Sequence, residues 1–360
     1  MEHGGALLDL SLGGLQTRLT QWALFGLHPH RPAVIHSPLA LFIQETKAGN
    51  SGMETTGCGT ALVTPFRGDG SIDDRALYAL VNWQINSGID FLVACGSTGE
   101  AATLEEEEWL TAIQLVVEAA AGRVPVFAGC THNCTRTLVK QAEKLTRIRG
   151  VDAVLSANPY YNKPTQEGQY QHFMALARTV DPLPVVLYNV PGRTGANLDP
   201  ETVIRLAEDA PNIAAIKEAS GKLTQVAALV HSTPRGFKIF SGDDNLALAA
   251  IGIGAHGLIS VASNEAPAEL TRMVRAALRN EWPWAREIER KYARLFEANF
   301  WESNPGPAKT ILSLMGRCDA GVRLPLVQPD RAMRQKLERL AGELGLLREA
   351  PLPEGDMRMF

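Results

Sequence analysis

No apolar run in this sequence approaches the ~18 residues that a membrane-spanning helix needs, so nothing in it reads as a span. Net charge is also small, −4 at pH 7, which removes the electrostatic reason to expect a nucleic-acid or anionic-membrane partner. Cysteine is scarce. Cys58, Cys95, Cys130, Cys134 and Cys318 are odd in number and widely spread, which fits reduced thiols in a cytoplasmic compartment rather than a disulfide framework. Cys130 and Cys134 flank His132, but a second pair at metal-ligand spacing is lacking, and no metal site is expected. What remains, 360 residues of which 45% are hydrophobic and 21% charged, is ordinary globular material suited to small-molecule chemistry.

Residues 1–56 carry scattered Gly, His and Pro without a sustained hydrophobic period, and they read as an N-terminal extension outside the fold. The first residues lack the basic region of a signal peptide, and the expected start of translation lies near Met53.

From residue 57 onward, short β-branched or apolar runs alternate with longer helical patterns, the mark of repeated βα units. Strands are expected at Gly59–Val63, Asp90–Ala94, Val124–Ala128, Ala153–Ser156, Val185–Tyr188, Ile213–Ile216, Phe237–Phe240 and Gly257–Val261. Between the first two, Leu77, Leu80, Val81 and Gln84 fall at helical spacing. Thr103, with Glu106 three residues on, is expected to cap a further helix, which gives the acidic run Glu105–Glu108 a helix-dipole role and no catalytic one. Eight such repeats in about 210 residues call for a closed (β/α)8 TIM barrel spanning 57–265. An additional C-terminal helical region (266–347) and a tail (348–360) follow.

A barrel of this kind places its chemistry after the C-terminal ends of the strands. There the sequence offers the turn Gly96-Ser97-Thr98-Gly99-Glu100, whose hydroxyls and free backbone suit a carboxylate, although such a turn is more often only a turn. Lys217 ends the otherwise apolar sixth run. Burial there disfavours the ammonium and supplies the neutral amine that attacks a ketone to form a Schiff base, unless the side chain snorkels out or pairs with Glu218. Lys238, at the opposite end of its strand, is not a candidate. Tyr188 and Arg193 share the loop after the fifth run, one suited to moving a proton and the other to a carboxylate. Tyr160 and Tyr161 follow the fourth.

Taken together and in this order, Gly96–Glu100, Pro159–Pro164, Tyr188–Gly195, Ile216–Gly221, Ser241–Asp244 and Gly257–Val261 resemble the pyruvate-dependent class I aldolases, the N-acetylneuraminate lyase family, over residues 57 to about 346. The resemblance implies a Schiff base on Lys217, with Tyr188 as proton donor and acceptor. Ser97 and Tyr161 would complete a hydroxyl relay, Tyr161 entering from the neighbouring subunit of a tight dimer within a homotetramer. By the same resemblance Thr98 grips the pyruvate carboxylate, Gly242 and Ile259 lie at the pyruvate pocket, and no cofactor is needed. Arg193 then favours the members that condense pyruvate with L-aspartate 4-semialdehyde on the diaminopimelate route to L-lysine, over lyases of sugar acids or other keto acids. A barrel that binds a keto acid without turning it over is the alternative of a different class. Ser97 stands where the family usually has threonine. The family's regulatory cleft maps onto Ala101, Ala102, Trp109, Asn133, Thr137 and Tyr160. Because Thr137 replaces a glutamate there, weak or absent inhibition by L-lysine is expected.

Overall fold

The structure, a computed structural model, describes residues 53–347. Most of the expected N-terminal extension and the whole expected tail lie outside the described residues.

Eight parallel strands close into a barrel in sequence order: β1 (Gly57–Ala61), β2 (Phe91–Ala94), β3 (Val126–Gly129), β4 (Ala153–Ala157), β5 (Val185–Asn189), β6 (Ile213–Glu218), β7 (Lys238–Ser241) and β8 (Gly257–Ser260). The helices between them are α1 (Asp74–Asn86), α2 (Glu106–Ala120), α3 (Thr135–Leu145), α4 (Gln166–Val180), α5 (Pro191–Thr194), α6 (Pro200–Asp209), α7 (Leu223–Ser232) and α8 (Ala247–Ile253). Then come α9 (Pro267–Leu278), α10 (Trp282–Ala298), α11 (Gly306–Leu314) and α12 (Arg331–Leu344). Among the described residues no helix is long and apolar enough to cross a membrane.

Local chemistry explains the boundaries. The Asp73 carboxylate accepts from the Ala76 N–H at 3.0 Å and starts α1, which buries Leu77, Leu80, Val81 and Gln84 as their spacing predicts. The cap expected at Thr103 is displaced. Thr103 closes a short 3-10 turn over Ala101–Thr103, and α2 begins at Glu106. Its first-turn bond runs instead from the Glu105 N–H to the Glu108 carboxylate, 3.0 Å, because the extended Leu104 and Glu105 put the capping geometry two residues later than the sequence pattern suggests.

Alternation along each strand sorts side chains into two layers. Outward residues such as Leu92, Leu187 and Ile216 join the helices in one cluster, and inward residues such as Phe91, Phe127, Val186 and Phe240 fill the barrel. The three phenylalanines pack ring on ring, Phe91 lying 4.7 Å from Phe127 and 5.3 Å from Phe240 between centroids. Gly59 makes room for them, since a Cβ there would stand 2.1 Å from the Phe91 ring. The C-terminal region packs on its own barrel: α9 lies beside β1 and α10, and α12 against α10 and α11.

Candidate active site

The position of Lys217 depends on a slip in register. Val185 of β5 pairs with Ile213 of β6, but its neighbour Val186 pairs with Ala215, so Ala214 is an extra residue in β6. Such a bulge resets the alternation of everything that follows. Ile213 packs outward, Ala214 and Ala215 both inward, and Ile216 outward again. Lys217 therefore faces the barrel interior. Without the slip it would point, like Ile213, into the helix layer.

Lys217 is 5% exposed, and its Nζ lies 4.5 Å from the centre of the Tyr188 ring, its direct partner across the β5–β6 ladder. Tyr188 itself is 7% exposed. Glu218, the alternative partner for the lysine, turns the other way. Its carboxylate accepts from Asn189 Nδ2 at 3.0 Å, the Ser220 N–H at 2.7 Å and Gln225 Nε2 at 3.1 Å, and burial holds its carboxyl above the usual carboxylate range. Gly242 keeps the space beside the amine open, because a Cβ there would lie 3.0 Å from Lys217 Cε. Burial likewise raises the Asp243 and Asp244 carboxyls, with the charge of Lys217 pulling in the other direction. Asp244 also accepts from the N–H groups of Val261 and Ala262, at 3.1 and 3.2 Å, tying the β7 loop to the end of β8. Ile259 of β8 lies fully buried in the inward layer.

The loop after β2 bends sharply: Cys95 and Glu100 bracket it with φ of 54° and 53°, a left-handed backbone that side chains other than glycine adopt at some cost. Thr98 is buried within it and Ser97 is exposed. A cavity of about 410 Å³ opens here, with Ser97, Tyr160, Tyr188 and Arg193 in its wall. Lys217, Thr98, Gly242 and Ile259 are not part of that wall. Arg193 comes from the single turn of α5, which Gly195 ends at φ 72°. Tyr161 does not join the others. It is 88% exposed, on a left-handed backbone (φ 73°) pinned by its N–H to Thr194 O at 3.2 Å.

Of the residues mapped to the regulatory cleft, Ala101, Ala102, Trp109 and Tyr160 border the same cavity. The Trp109 indole N–H is committed to Gly129 O at 2.8 Å, and the Asn133 carbonyl accepts from Asn162 Nδ2 at 3.0 Å. Cys130, buried, and Cys134, exposed, lie in different environments on either side of His132.

Sequence reasoning missed the support that comes from the C-terminal region. Lys309 of α11 and Glu100 form an ion pair of 2.7 Å with both side chains fully buried, and the Phe66 ring lies 4.2 Å from the ammonium. Desolvation lowers the Lys309 pKa. The other Glu100 oxygen accepts from the Arg323 N–H at 2.9 Å, while the Arg323 guanidinium grips Glu108 through two bonds of 2.6 Å. Removing one member of a buried pair strands the other charge, at about 3–5 kcal/mol. Asn304, between α10 and α11, borders the cavity and donates from Nδ2 to Thr98 Oγ1 at 2.9 Å. The available signal was a lysine among the apolar neighbours Ala308, Ile311 and Leu312, which has no reason to be there without a buried anion.

The described chain is similar to known proteins over nearly its whole length. The profile of the Dihydrodipicolinate synthetase family matches residues 54–344. The 4-hydroxy-tetrahydrodipicolinate synthase of Acidobacterium capsulatum is 59% identical over 302 residues, which cover 84% of this chain and all of that one. That of Koribacter versatilis is 54% identical with the same coverage. Among solved structures, the chloride-inhibited dihydrodipicolinate synthase of Acinetobacter baumannii, complexed with pyruvate, superposes with a TM-score of 0.79 at 40% identity, covering 81% of this chain and 99% of that one.

Proposed function

The chain belongs to the dihydrodipicolinate synthetase family and is an enzyme with 4-hydroxy-tetrahydrodipicolinate synthase activity in lysine biosynthesis, and from that premise we propose that its reaction runs through a Schiff base on Lys217. The observation that carries the mechanism is a lysine turned into the barrel by the β6 bulge, with a buried phenol beside its amine.

In this reading Lys217 Nζ attacks the ketone carbon of pyruvate, giving a carbinolamine. Tyr188 protonates the leaving hydroxyl, and water departs. The protonated imine withdraws electrons, so the pyruvate methyl loses a proton and becomes an enamine carbon. That carbon attacks the aldehyde of L-aspartate 4-semialdehyde. The amine of the new adduct then displaces Lys217 from the imine carbon, closing the ring and freeing the lysine. The imine is the electron sink, so the chemistry calls on no metal or organic cofactor. Thr98, Gly242 and Ile259 serve the pyruvate end, and Arg193 the carboxylate of the second substrate. Ser97 and a partner subunit's copy of Tyr161 extend the proton relay, in keeping with how far Tyr161 projects from its own chain. That role requires at least a dimer, and we place it within a homotetramer. A coupled assay with pyruvate and either L-aspartate 4-semialdehyde or a panel of other aldehydes tests the whole reading. Turnover of a sugar aldehyde in preference to the semialdehyde would reassign the substrate.

Arg193→Ala removes a charge-assisted bidentate contact worth about 1.5–3 kcal/mol, so use of the aldehyde is expected to fall by roughly 10- to 150-fold. Borohydride trapping of the pyruvate imine should survive. Loss of trapping with aldehyde affinity retained would move Arg193 to the pyruvate end.

Free L-lysine is expected to inhibit weakly or not at all. Thr137 offers no carboxylate to an incoming ammonium, the Trp109 N–H is already committed, and Glu106 at the cavity wall is paired with Lys144. Losing one charged contact weakens binding by at least roughly tenfold. Initial rates titrated with L-lysine at saturating pyruvate decide it, and strong submillimolar inhibition would contradict this account of the cleft.

A further inference from the structure

The orientation of one hydroxyl bears on how the site recognises its keto acid. A threonine hydroxyl has one proton to give and two lone pairs to receive with. To bind a carboxylate, Thr98 must aim that proton at the anion. Asn304 Nδ2 donates to Thr98 Oγ1 at 2.9 Å, occupying a lone pair, and an amide N–H cannot accept the hydroxyl proton in return. Both residues are buried, 4% and 3% exposed, so water does not compete freely for the bond. Asn304 also forms part of the cavity wall with Ser97 and Tyr188.

We propose that Asn304 is a positioning residue for keto-acid recognition: its amide fixes Thr98 Oγ1 as an acceptor and leaves the hydroxyl proton for the substrate carboxylate. The inference rests on the reading that Thr98 meets that carboxylate. The surrounding framework suits the role. Thr64 Oγ1 donates to Gly99 O at 2.7 Å, and Glu100 is fixed by Lys309 and Arg323, so the loop is held by the two residues that follow Thr98 and its side-chain rotor remains to be set. Asn304 supplies that constraint from a segment 206 residues away.

Asn304→Asp nearly preserves shape and reverses polarity. Its carboxylate accepts the Thr98 proton and adds a negative charge beside the place of the substrate's own. The measurement is the pyruvate concentration that half-saturates borohydride trapping on the intact enzyme, which involves no aldehyde. It should rise by roughly tenfold or more, while kcat at saturating pyruvate changes much less. Thr98→Val should produce a rise of its own, and combining it with Asn304→Ala, which brings no charge, should add little, because Asn304 acts through Thr98. If Thr98→Val weakens pyruvate and Asn304→Asp does not, the proposal fails while the role of Thr98 stands. If Thr98→Val has no effect, the underlying reading of Thr98 fails. Fully additive effects, or a lowered Tm with the half-saturation unchanged, would make Asn304 merely structural and overturn the proposal. Should Asn304→Asp not fold, Asn304→Ala serves in its place; a smaller rise supports the proposal, and no rise overturns it.

Discussion

Lys217→Ala is expected to lower turnover by at least roughly 10³-fold, about 4 kcal/mol of barrier, because the covalent route disappears along with the amine. Lys238 stands at the start of β7, the opposite end of its strand from the site, and is no substitute. In the wild-type enzyme, pyruvate with borohydride should leave one reduced adduct, and peptide mapping should place it on Lys217. The variant should take up none. Its fold should persist, since the neighbouring Glu218 carboxylate does not depend on the lysine and is held by Asn189, Ser220 and Gln225. Thermal unfolding that remains cooperative, with a Tm close to the wild type's, is the expected control. An adduct mapped to a different lysine, or a variant that still turns over at near the wild-type rate, would end the Schiff-base mechanism proposed for this residue.

Tyr188→Phe is the sharper test of the proton route. The substitution keeps the ring that lies 4.5 Å from the Lys217 amine and deletes only the hydroxyl, so packing is preserved and the proton relay is not. General acid–base groups contribute roughly 10²–10⁴-fold, and a fall of that size in the rate of imine formation is expected in rapid-quench trapping. Because the amine is untouched, the adduct should still accumulate on long incubation. Separating rate from extent distinguishes this from loss of the nucleophile. A variant whose imine forms as fast as the wild type's would assign the proton to another group.

The strand count was legible because buried parallel strands write themselves as short apolar runs between amphipathic helices, and the barrel follows from counting them. Lys217 stood out for a related reason: a charged residue at the end of an apolar run is conspicuous. Its direction was another matter. Simple alternation from Ile213 would have pointed it toward the helices, and only the extra residue at Ala214, visible in the pairing of Val186 with Ala215, turns it inward. A bulge has no dependable sequence signature when the residues around it are both alanine. The cap of α2 was misplaced by two residues for a similar reason, since Thr103 and Glu105 both suit the start of a helix and the backbone between them decides.

The C-terminal contribution was the least legible part. Asn304 and Thr98 are 206 residues apart, and Glu100 and Lys309 are 209 apart; no local period or motif spacing links positions so distant. From sequence the helical region is only an addition after the barrel, whereas in the structure the turn before α11 reaches the loop that carries Ser97 and Thr98. Arg193 shows the opposite case. Its place in the loop was plain from sequence, and the structure adds that the turn of α5 brings it to the same cavity as Tyr188.

The buried Glu100–Lys309 pair also orders events during synthesis. Chains grow from the N-terminus at about 5–20 residues per second, so Glu100 is made roughly 10 to 40 s before the lysine that neutralises it, 209 residues later. Throughout that interval the barrel has an anion with no counter-charge for its interior. The pair that buries the Glu100 side chain can therefore form only after α11 has been made, within the chain's last fifth.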